Sequence, residues 1–472
     1  MNITQKPKYN LLPAGEQILY TVYDANALTN YKVKYIASLY VYEDTGNITL
    51  EATLKATPNA AGVGIFDFSP ILSSYVSPDY EGGKVRVNTG TNYSQANNTP
   101  FNVQYHDIHR IDEFATAKNS IKWYSVIFTM EGSASQVGTI SSIGGTTSTS
   151  PILFYNGVLY DTDILNKGTG TADIGYNLGY AGFILNGDTD KFLTNSPTKQ
   201  YLRENDYHTV GFFNNYDSDF TVGGSGATLP AVHKLKIQFY YNGSTTGSLL
   251  QMACSEANGG FRTPSSESST KLIFAGVGIA NLTASGLTIP ANWDYYTVYA
   301  RNDNSETISQ DYSFYKQEED CKGFETIRLT WLNKFGVWDY YNFNKKSVRN
   351  FNKESVSYEQ QSGTWNESVF AMKGYKGGTR NFTNKVSERI QLNTDYITEE
   401  EGIWLEELFL SNDVFILEQQ STDNINEGII RKYMTPVIID SEEHIRKTLA
   451  NDRLIQYSIS ITKSKNRNTH TR

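Results

Sequence analysis

Apolar and polar residues alternate with a period of two along much of the chain. Over 47–55, Ile48, Leu50, Ala52 and Leu54 alternate with Thr49, Glu51, Thr53 and Lys55. Over 233–241, Leu235, Ile237, Phe239 and Tyr241 alternate with Lys236, Gln238 and Tyr240. Over 454–462, Ile455, Tyr457, Ile459 and Ile461 alternate with Gln456, Ser458, Ser460 and Thr462. Successive side chains of a strand point to opposite faces, so this pattern predicts strands with one wet face, and hence antiparallel sheets. Residues 31–42, 121–130, 271–280 and 325–332 read as further strands. Asn156-Gly157, between the apolar runs ILFY and VLY, predicts a two-residue hairpin turn.

A helical pattern stands out at one place. Thr398 and Glu401 form a capping box, Glu399 and Glu400 fill the first turn, and Trp404, Leu405 and Leu408 make an apolar stripe. This predicts a helix over 398–410, stopping near Ser411-Asn412 and packing its stripe on a C-terminal sheet. A shorter helical turn is expected over Pro70–Val76, with Ser69 as cap and Pro70 at the first helical position.

The middle of the chain changes character. Residues 131–150, EGSASQVGTISSIGGTTSTS, are rich in Gly, Ser and Thr, and 220–230 and 255–270 are similar. Such stretches are linkers or long surface loops. The expected fold is therefore mainly β: β-sandwich domains with antiparallel sheets, a loop-rich β insertion, and a C-terminal β domain carrying one helix. The expected division is an N-terminal sandwich of 1–130 with a return of strands at about 291–320, an inserted domain of 131–290, and a C-terminal domain of 321–472.

Composition narrows the function classes. The chain has 472 residues, enough to bury a core without a disulfide or metal. Its two cysteines, Cys254 and Cys321, sit in no pairing motif and are expected to be free thiols. No run of roughly 18 apolar residues predicts a membrane helix, and MNITQKPKYNLLPAGEQ has no apolar core of a signal peptide. The net charge of −9 opposes nucleic-acid binding, which leaves a basic footprint. Only the last stretch is basic, with Lys463, Lys465, Arg467 and Arg472. It reads as a frayed tail, or as an arm that docks on an acidic neighbour. Tyrosine is abundant, 33 residues, and suits both strands and contact surfaces.

Candidate chemistry is thin. His106 and His109 share a face only on a helix, and no further ligand lies at a metal-site spacing. Asn186-Gly-Asp-Thr-Asp190 and Asp217-Ser-Asp219 place oxygens close together as calcium loops do, but without the EF-hand order; polar turns produce the same letters. No nucleophile elbow, Cys/His signature or phosphate loop occurs. Gly224-Ser-Gly226 and Gly276-Val-Gly278 lack the phosphate-loop spacing and a following helix. Asn-X-Ser/Thr triplets at Asn47, Asn242, Asn281 and Asn381 read as coincidence in an Asn-rich chain. Carboxylate pairs for glycoside hydrolysis meet only in space, so sequence leaves them open. No catalytic, cofactor-binding or metal residue is assigned.

The most informative stretch is CKGFETIRLTWLNKFGVWDYYNF, 321–343. It reads as a strand with Ile327, Leu329 and Trp331 on one face, a tight turn at Asn333-Lys-Phe-Gly336, and an aromatic second strand, with Trp331 and Trp338 buried. Trp331, Trp338, Tyr340, Tyr341, Tyr40, Tyr42 and Trp404 are the expected core or interface residues.

This stretch resembles a Trp-Leu-Asn-x-x-Gly-x-x-Asp hairpin of structural proteins of tailed phages. KYIASLYVYE, ATLKATPNAAGVGIFDFSPILSSYV at 52–76 and FLTNSP at 192–197 are similar to the same kind of protein, in the crAss-like podophages of gut Bacteroides. The resemblance covers about a third of the chain and no catalytic residue. It implies a virion protein of the tail or neck, a ring or hub subunit. Its partners would be copies of itself in a symmetric ring and other tail or neck proteins. Neither sequence-specific nucleic-acid binding nor a membrane is implied. Two other readings stay open: a receptor- or glycan-binding tail protein using 131–290, and a polysaccharide-degrading enzyme.

Overall fold

The computed structural model describes residues 1–7, 11–42, 48–78, 115–116, 119–159, 182–214, 232–253, 271–284, 287–317, 323–365, 367–417, 434–440, 456–464 and 467–468. Strands take up 50% of the described residues and helices 8%, so the protein is mainly β. It divides into two compact units. The first comprises Met1–Glu318 and Leu332–Asp339, the second Glu319–Trp331 and Tyr340–Arg472.

The first unit opens with a sandwich. One layer is β1 (Asn2–Gln5), β3 (Leu19–Tyr23) and β6 (Val63–Asp67), in that order. The other runs β2 (Leu11–Pro13), β11 (Ile152–Tyr155), β8 (Ile121–Ser133), β4 (Tyr31–Tyr42) and β5 (Ile48–Ala56), with the short β9 (Ser141–Ser142) and β10 (Thr147–Ser148) on β8. Alternation along β4 turns Tyr35, Ala37 and Leu39 inward against Tyr20, Val22, Phe66 and Phe68. The Tyr20 and Tyr124 hydroxyls pair at 2.9 Å inside this core, and burial raises both pKa values above the ordinary phenol range. β5 is an edge strand, and the apolar residues expected to face inward, Ile48 and Leu50, are instead 56% and 50% exposed. Two short helical turns, α1 (Asn26–Thr29) and α2 (Ser69–Leu72), fill connections. Ser69 does not cap α2. The Asp67 carboxylate does, accepting from the Ser69 N–H at 3.0 Å, because a carboxylate before the turn reaches that orphan donor.

A second pair of layers follows. One is β12 (Lys199–Leu202), β18 (Tyr312–Lys316), β17 (Tyr295–Arg301), β14 (Lys234–Tyr241) and β15 (Ser244–Ala253). The other is β13 (Thr209–Phe213), β16 (Leu272–Gly276) and β7 (Ala115–Thr116). Their shared core joins Leu235, Ile237, Phe239, Tyr296 and Phe314 to Val210, Phe212 and Ile273. The strands at 295–316, expected to return to the N-terminal sandwich, pair instead with β12 and β14. Period-two patterning sets which face is buried and leaves the pairing partner undetermined. Among the described residues, β2 with β11 and β12 with β18 pair in parallel within a mostly antiparallel set. The segment 271–280 is a strand only to Gly276; α3 (Ile279–Ala284) takes over.

The second unit is built on one sheet: β20 (Trp338–Phe343), β19 (Ile327–Leu332), β23 (Val414–Leu417), β24 (Met434–Ile439), β25 (Ser458–Lys463), β22 (Gly378–Asn393) and β21 (Val348–Gln360), with β26 (Arg467–Asn468) on β22. The expected helix is α4 (Glu399–Leu410), with the full Thr398–Glu401 capping box. It lays Trp404, Leu405 and Leu408 on Leu329, Trp331, Ile390 and Ile459. The basic C-terminal stretch is not wholly frayed: Lys463 ends β25, and Arg467 pairs with Val386.

Candidate functional site

The residues carrying the hairpin motif have structural work within the first unit. Asn333 holds the turn: its Oδ1 accepts from the Phe335 and Val337 N–H groups at 3.0 and 3.2 Å, and its Nδ2 donates to the Leu193 carbonyl at 2.8 Å. Gly336 has φ +73, and a Cβ there would lie 1.9 Å from the Asn156 carbonyl oxygen, so no other residue fits. Thr194 Oγ1 donates to Asp339 at 2.7 Å in a buried contact. Phe335 and Val337 enter a core with Leu153, Tyr155, Leu193 and Phe213. The turn thus brings the motif against FLTNSP, two segments distant in sequence. It also overturns the expected Asn156-Gly157 hairpin: Asn156 N–H donates to Ser120 and Val158 N–H donates to Lys334, so 152–159 runs on past the turn. Tertiary partners override the local turn preference there.

The other expected residues are core or half-buried. Trp331 is fully buried in the second unit, its ring 5.1 Å from Trp404. Trp338 is buried in the first. Tyr340 is buried with the Arg328 guanidinium 4.9 Å over its ring. Tyr341 is half-buried beside Trp404 and Phe343; burial, with Glu401 and Asp395 nearby, pushes its pKa up. Tyr40 and Tyr42 are half-buried, and the Tyr42 hydroxyl meets Ser125 Oγ at 3.1 Å.

The candidate calcium loop at 186–190 is a turn. Asp190 Oδ2 accepts from the Asn186 and Gly187 N–H groups at 2.9 and 2.8 Å, which uses the carboxylate on backbone. Gly276-Val-Gly278 is followed by a helix after all, but α3 is one short turn and a half. A Cβ on Gly278 would meet the His208 nitrogen at 2.4 Å, so this glycine serves close packing. No group of three His, Cys, Asp or Glu residues that could hold a metal is found among the described residues. His106, His109, Asp217, Asp219, Gly224, Gly226, Asn47, Cys254 and Cys321 lie outside the described residues. Among the described residues no helix is long and apolar enough to cross a membrane.

What sequence reasoning missed is an arm. β21 and β22 pair from Val348↔Gln391 to Gln360↔Gly378 as a long two-stranded ribbon. β25 supports β22 over Arg389–Asn393 and β26 supports it at Lys385 and Val386. From Ser355↔Asn384 outward, no third strand pairs with the ribbon among the described residues. At about 3.3–3.4 Å per residue that free section runs roughly 20 Å before the tip at 361–377. β21 is exposed on both faces along nearly all of its length.

The base of the arm is anchored by charge. Arg349 Nη1 donates to Glu388 Oε1 at 2.6 Å and Nη2 to Glu325 Oε1 at 2.6 Å, and Lys463 Nζ lies 3.7 Å from Glu388 Oε2. Burial opposes the Arg349 charge, but the two bonded carboxylates outweigh it and hold its pKa above the usual value.

The tip is apolar yet internally ordered. Trp365, Val369, Phe370, Met372 and Tyr375 are 73%, 72%, 53%, 78% and 67% exposed. Trp365 Nε1 donates to the Ser362 carbonyl at 2.7 Å, its ring lies 5.0 Å from Phe370, and the buried Thr364 hydroxyl bonds Val369 and Ala371. Gly363, Gly377 and Gly378 take positive φ values that fold the loop back. The arm also departs in charge from the rest of the chain. Residues 348–393 hold seven Lys or Arg and four Asp or Glu, a net +3, which leaves −12 for the remainder of a −9 chain.

No family model matches the chain, and no curated protein matches it. Among solved structures, trypsin-activated alpha-2-macroglobulin of Escherichia coli is similar at 8% identity and a TM-score of 0.18, over 98% of this chain and 32% of that one. A point mutant of Salmonella alpha-2-macroglobulin gives 8% and 0.18, over 99% and 30%. The chain spans about a third of the length of those structures, and at such TM-scores the likeness carries no argument.

Proposed function

We propose that the chain is a structural, non-enzymatic subunit of a tailed-phage virion, assembled with copies of itself into a ring of the tail barrel or neck, where it also meets other tail proteins. The carrying observation is the arm. A two-stranded ribbon without a third strand or a covered face is marginal in water. Exposed apolar clusters of this kind mark contact sites. A neighbouring copy supplies the missing cover, and the +3 arm meets a body of net −12, which favours self-association through two different patches. The hairpin resemblance supports the virion setting. The role needs neither sequence-specific nucleic-acid binding nor a membrane.

The test is the mass of the full chain in solution compared with a chain whose residues 355–384 are replaced by a tight turn. The expected result is a multimer for the full chain and a folded monomer for the shortened one. Equal assembly of both overturns the reading. Binding of the full chain, but not the shortened one, to lipid vesicles would overturn it in favour of a membrane-seeking tip.

A further inference from the structure

The outward face of the five-stranded sheet in the first unit carries a row of tyrosines and a group of cations. Tyr201, Tyr315, Tyr295 and Tyr240 stand in one cross-strand row on β12, β18, β17 and β14. Tyr240 and Tyr295 have centroids 4.7 Å apart with planes 7° from parallel, and Tyr295 and Tyr315 are 4.8 Å apart at 20°. Rings lying flat side by side cannot come this close, so Tyr240, Tyr295 and Tyr315 stand upright and stacked at about the 4.7–4.9 Å strand spacing, while Tyr201 lies 5.9 Å from Tyr315 and tilted by 44°. The three stacked rings use their faces on one another, and Lys199 Nζ lies 4.5 Å from the Tyr315 centroid and 5.4 Å from that of Tyr201. The next row along the same face is Lys199, Ser313, Thr297 and Gln238.

Beyond it lies a group of cations. Lys234 is directly opposite Arg301, and Lys236 is opposite Tyr299 on the same face. Like charges placed directly opposite destabilise a sheet. Neither lysine forms an ion pair among the described residues, and the buried Arg301 Nε has no hydrogen-bond partner. The Arg301 guanidinium rests 5.4 Å over the Tyr299 ring. Lys236 is buried, and burial, then Lys234 and Arg301, lower its pKa. Among the described residues, Asp311 is the carboxylate whose pKa, raised by burial, Arg301 lowers, in a chain of net charge −9. Among the described residues, positive charge is in excess on this part of the face.

We infer that this face binds an acidic polysaccharide. Its carboxylate or sulfate groups sit on Lys234 and Arg301, with the buried Lys236 adding positive charge beneath them, and its hydroxyls meet the half-buried Ser313 and Gln238. The pattern selects this ligand over two others. Single-stranded nucleic acid binds by stacking bases on open aromatic faces, and here Tyr240, Tyr295 and Tyr315 are stacked on one another and Lys199 lies over Tyr201. Protein interfaces deplete lysine and bury an apolar centre. Every outward position of β12, β18, β17 and β14 is polar, charged or tyrosine. The site is independent of the assembly reading and holds whether or not the chain forms a ring.

The test is calorimetric titration of the full chain with polygalacturonate, dextran sulfate, neutral dextran, oligothymidylate and polyglutamate at physiological salt. The expected result is binding of one or both acidic glycans and not of neutral dextran, weakened about tenfold or more in Lys234→Gln/Arg301→Gln, the size of one lost charge-assisted contact. Lys34→Gln, an exposed lysine of the N-terminal sandwich, should bind as the unaltered chain does. Thermal midpoints equal to the unaltered chain show that the loss is local; if the double variant does not fold, Lys234→Gln alone carries the comparison. No binding of either acidic glycan, equal binding by the charge variants, or tighter binding of oligothymidylate or polyglutamate overturns the inference.

Discussion

Replacing Trp365 with Ala separates assembly from folding. In the isolated subunit the indole is 73% exposed, and its fixed contacts are Ser362 and Phe370 within the same loop. Surface changes of this kind shift stability by within about 0.5 kcal/mol. In an assembly the balance differs. A tryptophan buries roughly 150–250 Å², so about three quarters of that, roughly 110–180 Å², is still available to a partner. At about 25 cal/mol per Å² this is roughly 3–4.5 kcal/mol. Ordering costs reduce the net effect to roughly 2–4 kcal/mol, the range of an interface hot spot. Each 1.4 kcal/mol is about a tenfold change, so the subunit–subunit affinity should fall roughly 30- to 1,000-fold. Sedimentation velocity over a concentration series reads the affinity, and thermal unfolding of the dilute subunit reads the fold. Unchanged assembly would refute the reasoning about the arm. A collapse of the unfolding midpoint in the monomer would refute the claim that Trp365 is idle in the free subunit.

Other outcomes follow from the same contacts. Trp331→Ala should destabilise the second unit by about 3–5 kcal/mol, because it empties a fully buried site against Trp404; urea unfolding of the full chain checks it, and a loss under about 1 kcal/mol would contradict the core assignment. Thr398→Ala removes the oxygen that accepts from Glu401 N–H and should cost about 1 kcal/mol, seen as faster amide exchange over Glu399–Leu410. Asp395 loses some charge stability to burial, but bonds from Lys345 and the Tyr396 N–H outweigh this and hold its pKa below the ordinary value. A depressed carboxyl stabilises above its unfolded pKa of about 3.9 and loses that contribution as the pH falls through the folded value. The unfolding midpoints of the unaltered chain and Asp395→Asn should therefore differ at neutral pH and converge in acid; a constant gap would rule this out.

The strands and the helix were legible because each is declared within its own segment. Tyr31–Tyr42 and Ile121–Ser133 alternate with the pleat, and the capping box at Thr398 satisfies its donors within four residues. Buried faces are local facts of this kind, as the inward Tyr35, Leu235 and Trp404 illustrate. Pairing was not legible. Tyr295–Arg301 has the same pattern whichever sheet it joins, and only packing of Tyr296 and Val298 against Ile237 and Phe239 placed it beside β14. Asn156-Gly157 had every local reason to turn, yet Ser120 and Lys334 took its backbone bonds. The arm escaped notice for the opposite reason. Its residues, such as Lys353, Glu354, Phe351 and Val356, follow no inward-facing alternation, since a ribbon with both faces exposed imposes none. The outward cation cluster likewise exists only once Lys234 and Arg301, far apart in sequence, are set opposite each other. Local burial and capping are written in the order of the residues; partners are chosen by the competition among distant surfaces, which the chain settles only when it folds.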